Sequence, residues 1–315
     1  MVNFHEVLAM KNKIPFVVKS VTELNQLLGL PKPRHPLIVV YRYDQITRRD
    51  EKLLDYFCPQ FYSIAIKKNF KGKVRYGQSF YDFDEGMMSF VGPGQLLAHT
   101  GGDNIPEEGF CLMFHPDFIA GHVLAAKIRQ YSFFSYELNE ALHLSDEEQA
   151  LVETIIGQIE TEYQNPIDTL SQDVMITHIE LLLHYSQRFY NRQFITRKPA
   201  NHELLARVEK VLNTYFSDEM ALQEGLPTVQ HIAEALHISP NYLSDMLRIA
   251  TGKSAQGHIQ DKIIEKAKEL LSTTNLSISE VAYLVGFERP QSLNRLFKKK
   301  TNLTPVAFKQ GFRFN

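Results

Sequence analysis

Residues 228–300 hold one short helical unit written twice. Ile232, Ala233, Leu236 and Ile238 recur at an offset of 49 residues as Val281, Ala282, Val285 and Phe287, whereas Pro240, Leu243 and Leu247 recur at an offset of 50 as Pro290, Leu293 and Phe297. The second copy therefore carries one extra residue between its two helices. A chain with this feature must make two similar helix pairs joined by a connector.

Each copy carries its own start signals. Thr228 is placed as the N-cap of the first helix, and Ser277 with Glu280 makes a capping box for its counterpart. Pro240 and Pro290 sit where a second helix would begin, the position at which a missing N–H costs nothing. Ser239 is a good N-cap before the first proline; Arg289 is a poor one before the second. Ala233 and Ala282 are small enough for a close helix crossing, and Gly286 can supply a left-handed turn. This is the grammar of a helix-turn-helix, in which the second helix of each pair is free to enter a major groove. Between the copies, Ile259, Ile263, Ala267 and Leu270 recur at helical intervals and predict a connecting helix that touches both pairs.

The segments "IAEALHISPNYLSDML", "TGKS", "KAKELL" and "SISEVAYLVGFERPQSLNRLFKKKTNLTP" together resemble the DNA-binding domain of the AraC/XylS family of transcription regulators. The resemblance covers nearly all of 228–310. Four places depart from the family pattern. Asn302 stands where glycine is usual, Ile263 where arginine is common, Leu293 where phenylalanine is frequent, and Phe308-Lys309 where Tyr-Arg is typical. These are changes of packing and capping type.

At 315 residues the chain is long enough for a second domain upstream. With 34 basic and 36 acidic residues, its overall charge announces no nucleic acid. From Thr228 onward, however, 12 Lys and Arg face 7 Asp and Glu, and Lys298, Lys299 and Lys300 form a run. Such a basic end suits phosphate contact, although lysines closing a helix also complement its dipole. Two cysteines far apart, Cys58 and Cys111, suit a reducing cytoplasm. With no long apolar run and no leader-like N-terminus, the expectation is a cytoplasmic protein with no membrane partner.

The expected fold class is α+β: an N-terminal cupin-like β-barrel with flanking helices, then an all-α domain with two helix-turn-helix motifs. Residues 21–28 predict a short helix closed by Gly29. The runs "LIVVYRY", "FYSIAI", "KVRYGQSFYDF", "MMSFVGP" and "GFCLMFH" predict a compact antiparallel barrel or sandwich over 37–115. The family resemblance implies that such a barrel holds a small-molecule effector, with Phe61, Tyr76, Tyr81 and Phe83 as candidate lining residues, although aromatics also simply fill barrels. A catalytic cupin would need closely spaced histidines and a carboxylate on a metal; His35, His99 and His115 lack that spacing, so no metal, cofactor or catalytic residue is expected. A repair methyltransferase sharing the helical domain would need a nucleophilic cysteine beside His and Arg, a setting neither cysteine has. The protein is therefore read as no enzyme.

Further helices are expected over 118–131, over 149–163 behind a Ser145–Glu148 capping box, and over 170–189. In the last, Leu170, Val174, Leu181, Leu182, Tyr185 and Phe189 form a stripe that either packs on the barrel or faces a second copy in a homodimer. The expected domains are 1–195 for sensing and dimerisation, 196–203 as a polar linker, and 204–315 for double-stranded DNA, with RNA polymerase as a further partner. Outward positions near each proline are the candidates for base contact: Asn241, Ser244 and Asp245, then Gln291, Asn294 and Arg295. Asp245 can accept from a cytosine amino group but repels phosphate. Arg289, Lys298 and Lys299 are the candidates for phosphate.

Overall fold

The computed structural model describes residues 15–48, 56–68, 74–76, 79–81, 86–95, 97–98, 108–137, 140–196, 198–217 and 220–311. The chain divides into two compact units, Met1–Gln193 and Phe194–Asn315. In the first, β1 (Phe16–Val18) leads into α1 (Val21–Leu28), which ends at Gly29. Next come β2 (Ile38–Arg42), β3 (Tyr56–Pro59), β4 (Tyr62–Lys68), β5 (Val74–Tyr76), β6 (Ser79–Tyr81), β7 (Met87–Val91), β8 (Leu97–Ala98) and β9 (Glu108–Phe114). After them lie α2 (Val123–Lys127), β10 (Leu142–His143), α3 (Asp146–Gln164) and α4 (Ser171–Thr196).

Five strands form an antiparallel sheet in the order β10-β7-β4-β9-β2, with Ile64 of β4 opposite both Leu112 and Phe90. Every residue of β7 is buried, so that strand is covered on both faces. A second sheet, β1-β3-β8, begins with a parallel pair that the sequence did not announce, and β5 pairs with β6 as a ribbon. Among the described residues these strands do not close into one barrel. The five-stranded ladder stops at β2, where the Arg42 amide donates to Oε1 of Gln45 in the following turn rather than to another strand.

Helices cover the sheet through aromatic and polar contacts. The Phe90 ring lies 4.4 Å from that of Phe133, which stacks on Tyr190 of α4. The Ser145–Glu148 capping box starts α3 as expected, and Glu148 also takes two hydrogen bonds from Arg192, tying α3 to α4. Residues 118–131 are not one helix: a 3-10 turn over Pro116–Ile119 gives way to Gly121 at φ 83°, which no α-helix accommodates, before α2 begins.

The stripe expected on α4 splits in two. Leu182 and Phe189 are buried, whereas Leu170 just before the helix, with Val174 and Leu181 on it, are 62%, 38% and 42% exposed, and Tyr185 is half-buried. The buried side follows Met175, Ile179, Leu182, Ser186 and Tyr190, an i, i+3, i+4 run that selects one face toward the sheet. No helix among the described residues is long and apolar enough to cross a membrane.

The second unit is helical: α5 (Lys198–Ser217), α6 (Met220–Glu224), α7 (Val229–Leu236), α8 (Pro240–Thr251), α9 (Ala255–Thr273), α10 (Ile278–Leu284), α11 (Pro290–Thr301) and α12 (Pro305–Gly311). Its core holds the duplicated positions, with Ala233, Leu243, Ala282, Leu293 and Phe297 fully buried. From the connecting helix α9 it takes Ile259, Ile263, Ala267 and Leu271. Leu271 replaces the expected Leu270, which is half-buried, because the i, i+4 run from 263 through 267 reaches 271.

Candidate nucleic-acid interface

Local chemistry builds both helix pairs. The Thr228 hydroxyl accepts from the His231 amide at 3.1 Å to start α7, and α7 ends at His237 in a left-handed conformation, φ 57°. Ser239 accepts from the Tyr242 amide at 3.2 Å to start α8, with Pro240 at the first helical position. In the second pair the Ser277–Glu280 box closes in both directions, at 2.6 and 3.2 Å. The Ser277 interactions hold the Glu280 carboxyl below the usual range. Arg289 starts α11 without a side-chain cap, and Asn302 ends it at φ 59°, the conformation in which asparagine is the usual stand-in for glycine. Ser277→Ala is expected to lower the stability of this unit by about 1 kcal/mol, read as a lower melting temperature, because it leaves the Glu280 amide without its cap.

The two second helices present different faces. On α11 the inner side, Leu293 and Phe297, is buried, while Gln291, Asn294, Arg295, Lys298 and Lys299 are all exposed, as is Arg289 just before it. None of these six makes a side-chain hydrogen bond or ion pair among the described residues. On α8, Asn241 is exposed but Ser244 and Asp245 are half-buried. The Ser244 hydroxyl donates to the Pro240 carbonyl at 2.8 Å, and Asp245 faces Arg248 at 3.4 Å. Arg248, which the motif reading overlooks, thus brings an exposed guanidinium to α8; its only signal in the sequence is the i, i+3 spacing from an aspartate.

Lys300, third of the lysine run, does not share the setting of Lys298 and Lys299. Its ammonium lies 2.7 Å from Asp261 on α9. Of the candidate effector-lining residues, Phe61 is fully buried between β3 and β4. Tyr76 and Tyr81 lie on the β5–β6 ribbon, opposite Ser79 and Val74, with side chains outside the described residues, as is the whole of Phe83.

A family described as a helix-turn-helix domain matches residues 232–311, which run from α7 through α12. Over 97 residues the chain is 35% identical to the arabinose operon regulatory protein of Escherichia coli K12, a match covering 31% of this chain and 32% of that protein. Residues 232–311 are an AraC-type helix-turn-helix domain. An uncharacterized HTH-type transcriptional regulator of Pseudoalteromonas carrageenovora is 34% identical over 100 residues, 32% of this chain and 54% of that protein. The chain thus spans between about a third and about a half of the length of these two relatives. Among solved structures, the C-terminal domain of the two-component response regulator yesN from Fusobacterium nucleatum is 31% identical, with a TM-score of 0.28, covering 32% of this chain and 96% of that one. The AraC/XylS likeness is thus a property of the second unit.

Proposed function

We propose that the chain is a sequence-specific DNA-binding transcription regulator whose second unit places α8 and α11 in successive major grooves on one face of DNA, about one helical turn apart. The observation that carries this reading is the outer face of α11. Its polar groups of groove-reading type stand exposed above a fully buried inner face. Arg295 is assigned to guanine, Asn294 and Gln291 to adenine, and Arg289, Lys298 and Lys299 to phosphates. Asn241, Ser244 and Asp245 of α8 contribute weaker readout, since the Ser244 hydroxyl and the Asp245 carboxylate already have protein partners. No enzymatic step is assigned to the chain.

Residues 1–195 are proposed as a cupin-like sensor and dimerisation domain, 196–203 as the linker and 204–315 as the DNA-binding domain. A homodimer would use the outward half of the α4 stripe, Leu170, Val174 and Leu181, and two-fold symmetry would match paired operator half-sites. A small-molecule effector in the first unit, against Phe61, Tyr76, Tyr81 and Phe83, and contact with RNA polymerase in the cytoplasm complete the proposal.

Selection of bound sequences from a random duplex pool tests it, with the full chain and a fragment of residues 194–315. Both should enrich one motif made of two short blocks about 10 base pairs apart. Enrichment of no sequence by either protein would overturn the reading; enrichment by the full chain alone would show that the second unit does not act independently.

A further inference from the structure

The end of each helix pair meets the connecting helix at one carboxylate. Asp261, on the connecting helix α9, takes Nζ of Lys253 on its Oδ2 at 2.8 Å and Nζ of Lys300 on its Oδ1 at 2.7 Å. Lys253 follows Gly252, the left-handed cap that ends α8, and Lys300 lies in the last turn of α11. One oxygen thus holds the first helix pair and the other holds the second. Burial pushes the Asp261 carboxyl up, and the two lysine hydrogen bonds outweigh it, leaving the group below the usual carboxylate range.

A second contact fixes the same corner. The hydroxyl of Thr251, the last residue of α8, lies 2.7 Å from the Leu247 carbonyl and 2.8 Å from Nε2 of His258 on α9, within hydrogen-bonding reach of both. Burial, with Lys253 adding to it, holds this imidazole below its ordinary pKa.

We propose that Asp261 is a positioning residue for DNA recognition: it clamps the two helix pairs to the connecting helix and so sets the distance and rotation between the two reading helices. The proposal rests on the regulator reading above. The apolar seam of Ile259, Ile263 and Ala267 holds the helices together but is non-directional, whereas hydrogen bonds fail steeply with angle. Packing therefore sets that the pairs associate, and the two-lysine clamp sets at what register. The clamp also explains the unequal lysine run, since Lys300 pairs with Asp261 whereas Lys298 and Lys299 make no such ion pair among the described residues.

The readout is the ratio of affinities for the selected two-block site and for the same site with one base pair inserted between blocks. Wild type should favour the native spacing, and Asp261→Ala, Lys253→Met and Lys300→Met should each shrink that preference about two- to fivefold, the range an exposed ion pair supports. Removing the carboxylate raises DNA affinity and removing a lysine lowers it, but both sites feel the same charge change, so the ratio isolates position. Should Asp261→Ala fail to fold, the two lysine variants carry the test. A wild-type preference that all folded variants keep in full would overturn the clamp alone, as would a wild type indifferent to spacing. Failure of wild type to bind any duplex would overturn the regulator reading and the clamp with it.

Discussion

Arg295→Ala is expected to weaken binding to the preferred site by about 1 to 3 kcal/mol, roughly five- to 150-fold, and to relax the preference at a single base pair. The guanidinium stands exposed on α11, two residues beyond the buried Leu293, so its removal leaves the inner face intact. A fork of donors matched to guanine O6 and N7 loses discrimination as well as affinity when truncated. Lys298→Ala should behave differently. An exposed ammonium on phosphate contributes equally to every sequence, so its loss should weaken specific and random DNA alike and lower the salt slope by about one. Binding isotherms at several salt concentrations on the selected site and on random duplex separate the two. Equal losses on both DNAs for both variants would refute the division of roles.

Gly286→Ala should destabilise the second unit by about 3 kcal/mol or more, enough to lower its melting temperature by about 10 °C. Two costs combine there. Gly286 sits at φ 94°, where a Cβ is strained. A Cβ would also stand 2.7 Å from the Gly225 carbonyl carbon and oxygen and 2.9 Å from the Leu226 amide, backbone atoms that cannot rotate away. Gly252→Ala isolates the first cost: Gly252 has φ 73°, but a Cβ would meet nothing within 4 Å, so about 1 kcal/mol is expected. Thermal unfolding of the two variants in the 194–315 fragment gives the comparison. Equal melting temperatures would mean that the loop before α7 moves aside and the close approach carries no cost.

The helix pairs were legible because their signals are local. Thr228, Ser239 and Ser277 each bond an amide three residues on, so the residue and its partner fall in one short window of sequence. The α4 stripe was less legible. Leu181 and Leu182 look alike in the sequence, yet one is exposed and the other buried, because the sheet beneath chooses between neighbouring faces of the same helix. The β1–β3 pair escaped notice for a related reason: Phe16 meets Phe57 across about forty residues, and no turn chemistry connects a parallel pair.

By itself the sequence determined where the four helices of the two pairs begin, that they come as pairs, and most of the residues that form their core. Caps, prolines and helical spacing act over three or four residues and need nothing from the rest of the chain. Only the tertiary structure decided that Lys300 turns to Asp261 while Lys298 does not, that Gly286 lies against Gly225, and that the five-stranded sheet ends at β2. Each of those depends on groups brought together from distant parts of the chain. The same residue type takes a different role according to what the folded backbone places within hydrogen-bonding or van der Waals reach.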